Sequence, residues 1–142
     1  MRYDRQMILP EIGEEGQRKL KQAKVLIVGV GGLGSPIALY LAGAGVGCIG
    51  LVDDDVVSIS NLQRQVLYSE KELGKPKAIC AAERLSALNS ETTSQPYPTR
   101  LTEENAQEII SQYDIVVDGC DNFPTRYLIN DICAKTGKVY VY

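Results

Sequence analysis

Residues 25–55 read VLIVGVGGLGSPIALYLAGAGVGCIGLVDDD, and this stretch decides the fold. The run Val25-Leu26-Ile27-Val28 has the length and β-branching of a buried parallel strand, and it stops at Gly29. Gly29, Gly31, Gly32 and Gly34 then spell a G-x-G-G-x-G turn, which lets backbone approach a phosphate or nucleotide closely. Ser35 is the expected N-cap of the helix that follows, with Pro36 in its first turn. Apolar residues at Ile37, Leu39, Leu41 and Ala42 continue that helix until Gly43, Gly45 and Gly47 end it. Ile49-Gly50-Leu51-Val52 reads as a second buried strand. It closes on Asp53, about twenty residues past the first glycine, where a ribose-binding carboxylate belongs.

Two other readings of this stretch compete. Val25 to Val52 carries no charge, which a hydropathy window scores as a transmembrane helix. The recurrent glycines, the internal Pro36 and the two short β-branched runs favour a βαβ unit instead. The turn alone is also compatible with tight packing and no ligand; the acidic residue in register favours a nucleotide.

Working outward, 142 residues suffice for one domain with a packed core. A hydrophobic fraction of 44%, a charged fraction of 23% and a net charge of −3 give no reason to propose nucleic acid or an anionic membrane as partner. The amino terminus, MRYDRQMILPEIGEEGQ, lacks the apolar core of a signal peptide, so the cytoplasm is the expected location. Cys48, Cys80, Cys120 and Cys133 have no C-x-x-C spacing and read as small buried hydrophobes. The absence of histidine removes the commonest general base and zinc ligand, leaving Asp, Glu, Arg, Lys and backbone.

Residues 1–23 read as an arm and a helix (Glu14 to Ala23), and residues 24–142 as a nucleotide-binding domain. On composition alone Arg5, in the arm, reads as a solvated charge. Val56 to Tyr68 is a polar excursion past a strand end, where α/β folds place ligand contacts. Gly74 to Asn89 is a helix with Lys77 in its first turn, a position unfavourable for a cation unless an anion lies there. Thr92 to Thr99 is a weak, proline-interrupted edge strand, and Thr102-Glu103-Glu104 caps a helix through Gln112. Ile115-Val116-Val117 is a third buried strand, leading through Asp118-Gly119-Cys120-Asp121-Asn122 to a helix over residues 125–136 and a strand over 138–142. The fold class is therefore α/β: a Rossmann-like, doubly wound, mainly parallel sheet with helices on both faces. Because the chain stops on a strand, truncation at that end is expected.

In such a sheet the strand carboxyl ends converge. Gly31-Gly32, Asp53 and Asp121 should meet at one crevice, with Arg64 and Lys77 reaching in from the crossover. Two cations and a second carboxylate exceed what a dinucleotide requires and suit a nucleoside triphosphate with Mg²⁺ on Asp121. No G-x-x-x-x-G-K-[ST] sequence is present, which excludes a P-loop.

RYDRQ at 2–6, GVGGLGS at 29–35, DDDVVSISNLQRQ at 53–65, GKPKA at 74–78 and DGCDNFPTR at 118–126 together resemble the ThiF/MoeB/HesA family, bacterial relatives of ubiquitin-activating enzymes. The resemblance runs from Arg2 to the last residue. It implies ATP-dependent adenylation of the C-terminal glycine carboxylate of a small ubiquitin-like sulfur carrier ending in Gly-Gly, in thiamine or molybdopterin synthesis, with release of pyrophosphate. By position it implies Asp53 as ribose ligand, Gly32 and Asn122 beside the nucleotide, and Ser60, Asn61, Arg64 and Lys77 toward ATP and its phosphates. Asp121 becomes the Mg²⁺ ligand, and Arg5 an arginine acting in trans on the partner's site of a homodimer. The attacking carboxylate is already ionised at neutral pH, so no histidine base is needed. Many members carry paired C-x-x-C motifs for zinc, and sometimes a sulfur-carrying cysteine, further along; neither is in this sequence. Weak ATP binding, and no carrier activation by this piece alone, would follow. The rival readings are a non-catalytic partner subunit, a tRNA-modifying dehydratase of the same family, and an NAD-dependent oxidoreductase.

Overall fold

Strict alternation along the first strand, β1 (Lys24–Val28), divides the molecule into two cores. Val25 and Ile27 point to one face, where they pack with Ile49, Leu51, Ala81 and Leu85. Leu26 and Val28 point to the other, among Ile109, Ile110, Val116 and Ile129. A strand buried on both faces must be nearly continuous in apolar residues, and β1 is.

A computed structural model describes residues 1–142. The remaining strands are β2 (Cys48–Val52), β3 (Thr93–Tyr97), β4 (Ile115–Asp118) and β5 (Val139–Val141), and the sheet order is β3-β2-β1-β4-β5. All four pairings are parallel, so the sheet is wholly rather than mainly parallel. The helices are α1 (Asp4–Met7), α2 (Gly13–Gln22), α3 (Gly34–Ala44), α4 (Lys77–Leu88), α5 (Ala106–Ser111) and α6 (Phe123–Thr136). The chain winds from β1 outward to β3, then returns to lay β4 on the other side of β1. That reversal opens a crevice between the carboxyl ends of β1 and β4. The proline-interrupted β3 is an edge strand, as its sequence predicts. The uncharged stretch from Val25 to Val52 is strand, helix, strand, and no helix of the molecule is long and apolar enough to cross a membrane.

Three local expectations need correction. Ser35 is not an N-cap: helical geometry already begins at Leu33, Ser35 lies within α3, and its N–H donates to the Gly31 carbonyl at 3.0 Å. The turn after Gly31 runs straight into the helix, leaving no extended residue for a cap to occupy. Thr102–Glu104 do not start a helix either. Asn105 accepts the Thr102 N–H at 2.8 Å and donates to the Arg100 carbonyl at 3.0 Å, closing a turn that delays α5 to Ala106. Third, α6 starts two residues earlier than read, at Phe123, because Asn122 caps it by accepting the Thr125 N–H at 3.0 Å.

The glycine turn has a packing function as well. A Cβ on Gly34 would lie 2.0 Å from the Gly29 carbonyl oxygen, and one on Gly119 would lie 2.6 Å from the same atom. Three glycines thus let the ends of β1, α3 and β4 meet backbone to backbone. Gly34→Ala is expected to cost about 3 kcal/mol or more of stability, since backbone cannot yield as a side chain can. Gly43, on the same helix, meets nothing within 4 Å; Gly43→Ala should be neutral or stabilising by up to about 1 kcal/mol. Urea unfolding of the two variants checks the contrast.

Candidate active site

The carboxyl ends of β1, β2 and β4 surround a cavity of about 600 Å³. Its walls include Gly31, Gly32, Asp53, Arg64, Lys77, Asp121 and Asn122, seven residues that the sequence places at a single crevice or beside its ligand. Gly31 and Gly32 are the open part of the turn. The atoms nearest to a Cβ on Gly32 would be those of the Arg64 side chain, at 3.6 Å, so Arg64 lies over the turn.

Each of these side chains is held by its element. Asp53 follows β2 and takes the Val30 N–H on Oδ2 at 2.9 Å and the Asp55 N–H on Oδ1 at 2.8 Å. Burial pushes its carboxyl up from the usual carboxylate range against the pull of those two amides. One lone pair on each oxygen remains for a further donor, an arrangement suited to a vicinal diol. Lys77 is the first residue of α4, and only 5% of its side chain is exposed; its Nζ lies 3.8 Å from Asp55 Oδ2. The segment after Asp53 pairs with the segment before α4: Val56 bridges Pro76, and the Lys77 N–H donates to the Asp55 carbonyl at 2.9 Å. That pairing brings a buried cation to the acidic strand end. Asp121, on the loop between β4 and α6, is exposed and makes no hydrogen bond or ion pair within the chain.

Ser60 and Asn61 do not line the cavity. They form a 3₁₀ turn (Ile59–Asn61) beside it, where Ser58 Oγ donates to Asn61 Oδ1 at 2.8 Å and Arg64 Nη1 reaches the Ser60 carbonyl at 3.4 Å. In the free chain they support the base of Arg64. Arg5 is further away. Its helix α1 is tied to the opposite end of the molecule: Gln6 Nε2 donates to the Ala44 carbonyl at 2.6 Å, and Asn89 Nδ2 donates to the Tyr3 hydroxyl at 2.8 Å. Ala44 and Asn89 end α3 and α4, whose first turns border the cavity, so the length of a helix, about 16 Å, separates the arm from the crevice of its own chain.

Several cavity residues were not singled out by sequence. Arg100 follows β3 and pairs with Asp54 at 3.7 Å. Only the register of the edge strand brings it to the crevice. Gln65 and Thr125 also line the wall. Behind the Asp121 loop, Asp118 accepts from Tyr140 at 2.5 Å and from the Cys120 N–H at 2.8 Å, and Arg126 Nη2 donates to the Cys120 carbonyl at 3.2 Å. Cys80 and Cys133 are buried as expected, whereas Cys48 and Cys120 are only half-buried, Cys120 at the cavity wall. Burial, and then Asp118, push its thiol up to about 11, so it is a neutral group rather than a nucleophile at physiological pH. The cavity therefore offers cations, carboxylates and backbone N–H groups. It suits binding and charge neutralisation of a polyanion and holds no base of the histidine type.

A family model described as "ThiF family" matches residues 3–142. The sulfur carrier protein adenylyltransferase of Thermus thermophilus is 56% identical over 141 residues, covering 99% of this chain and 52% of that protein. The adenylyltransferase and sulfurtransferase MOCS3 of Danio rerio is 53% identical, over 99% of this chain and 31% of that one. The chain thus spans about half or less of the length of these curated relatives. Among solved structures, the E. coli tRNA N6-threonylcarbamoyladenosine dehydratase TcdA in complex with AMP superposes with a TM-score of 0.92 at 28% identity, over 98% of this chain and 56% of that one.

Proposed function

The chain belongs to the ThiF family, and from that premise we propose that it is the nucleotide-binding part of a cytoplasmic, homodimeric adenylyltransferase acting on a ubiquitin-like sulfur carrier. The observation that carries the proposal is the meeting of Asp53, Arg64, Lys77 and Asp121 around one cavity. Asp53 takes the ribose hydroxyls, and the Gly31-Gly32 backbone receives the phosphate chain. Arg64 and Lys77 neutralise charge that builds on the α-phosphate and the departing pyrophosphate. The carrier's C-terminal glycine carboxylate attacks the α-phosphorus, the bond to the bridging oxygen breaks, and pyrophosphate leaves with that electron pair. The product is an acyl-adenylate. Asp121, free of partners in the chain, fits a Mg²⁺ that is held by few carboxylates together with phosphate oxygens; no cluster of three or more metal-binding side chains exists. When bound, the ion adds charge neutralisation at the phosphates.

The homodimer is supported by a surface feature. Leu33 (63% exposed) and Tyr40 (79% exposed) mark an apolar stripe along α3, from the cavity mouth toward the arm that carries Arg5. Two copies of α3 packed antiparallel through a two-fold axis would bring each arm to the other's cavity.

Calorimetric titration with Mg·ATP tests the site, with NADH as control. Magnesium-dependent ATP binding that drops about tenfold or more in Asp121→Asn is the expected result. Binding of NADH without ATP would instead favour an oxidoreductase. A tRNA-modifying dehydratase is the second reading, favoured by the superposition on TcdA. Pyrophosphate exchange that depends on a carrier ending in Gly-Gly separates it from the first.

A further inference from the structure

Gln65 is only 4% exposed, yet it lines the cavity. Its backbone is engaged: the N–H donates to the Asn61 carbonyl at 2.9 Å, and its carbonyl accepts the Tyr68 N–H at 3.3 Å. Its side chain is not. Oε1 is buried with no hydrogen-bond partner, and the side-chain hydrogen bonds of the chain include none from Nε2. Buried carboxamides are almost always satisfied, because each unpaired polar atom carries its desolvation cost uncompensated. Ser35 and Ser94 also bury unpartnered hydroxyls, but neither lines the cavity. Arg126 Nε, without a hydrogen bond, at least faces Asp118 at 3.5 Å.

The position of the free amide indicates its ligand. A Cβ on Gly31 would lie 3.3 Å from Gln65 Nε2, so the amide sits against the open part of the glycine turn. The adjacent residue, Arg64, lies over Gly32. The carbonyl oxygen is buried, whereas Nε2 lies against the cavity's glycine turn, which makes the N–H donors the end a ligand can meet. An anionic acceptor matches such a donor, and hydrogen bonds to charged groups are the stronger kind.

We propose that Gln65 is a nucleotide-binding residue whose side-chain amide donates to a phosphate oxygen of the bound nucleotide, beside the Gly31-Gly32 backbone. This rests on the ATP reading of the cavity. The free chain leaves the Nε2 donors without an acceptor, and the phosphate oxygen supplies one, while Oε1 stays buried and unpaired.

The test is Gln65→Met, which keeps the volume and removes the polar atoms, alongside Gln65→Glu, which keeps the shape and replaces the donor with a like charge. Mg·ATP affinity should fall about ten- to hundredfold in Gln65→Met and further in Gln65→Glu. Adenosine affinity should be unchanged in Gln65→Met. The free Gln65→Met protein should melt at the wild-type temperature or a few degrees (about 2–4 °C) higher, because an unsatisfied buried group is gone. Wild-type ATP affinity in Gln65→Met, or equal losses for ATP and adenosine, would overturn the assignment. A lower melting temperature with unchanged affinity would make Gln65 a structural residue. Should wild-type protein bind no Mg·ATP, the reading of the cavity fails first, whatever the variants do.

Discussion

Arg64→Ala is expected to lower carrier-dependent pyrophosphate exchange by about a thousandfold or more while leaving the melting temperature where it was. The two halves of that expectation have separate causes. Arg64 lies over the glycine turn at the cavity, where the proposed reaction would develop negative charge as pyrophosphate departs, and the other guanidinium of the cavity, Arg100, is paired with Asp54. Its structural ties are slight. The side chain is exposed, and its one hydrogen bond reaches the Ser60 carbonyl at 3.4 Å, so truncation leaves no buried group unpaired. Lysine at this position should restore only a small part of the rate, because a point charge cannot reproduce bidentate contact with phosphate oxygens. Exchange retained in the alanine variant would remove Arg64 from the mechanism.

Arg5→Ala should be nearly as damaging, and its lesion should lie in the other subunit. In its own chain the arm is pinned to the far ends of α3 and α4 by the Gln6 and Tyr3 contacts, a helix length from the crevice. Co-expression of Arg5→Ala and Arg64→Ala subunits carrying different tags allows the heterodimer to be isolated. If Arg5 serves the partner, one of its two sites has lost both arginines and the other is intact, so the heterodimer should recover about half of wild-type exchange. If each subunit used its own Arg5, both sites would be damaged and activity would stay near the level of the single variants. Preparations that run as monomers by light scattering, yet retain full exchange, would dispose of the trans arrangement altogether.

The site was legible in sequence to the extent that its residues sit at strand ends. Asp53 and Asp121 follow β-branched runs, and in a parallel sheet every such run delivers its next residues to the same edge. Gly31 and Gly32 were legible for the same reason. Lys77 was marked by an electrostatic oddity, a cation in the first turn of a helix, and the structure gives it a neighbour in Asp55. Gln65 and Arg100 carried no such mark. A glutamine in a polar loop and an arginine past an edge strand resemble many solvated side chains, and nothing local tells that one is buried.

The sequence by itself determined the periodicities and the punctuation: two-sided apolar strands, the glycine turn, the acidic strand end and the helices between. Those depend on residues close together in the chain, whose preferences are set by sterics and by alternation of burial. Tertiary structure alone decided three other things. It split the glycine motif between packing at Gly29 and Gly34 and cavity at Gly31 and Gly32, because Gly119, from a strand far along the chain, meets the turn on one side only. It set the arm carrying Arg5 at the end of the molecule opposite its own cavity, through buried Asn89 and the last carbonyl of α3. It also left the amide of Gln65 unpaired, which follows from distances across the fold that no local pattern encodes.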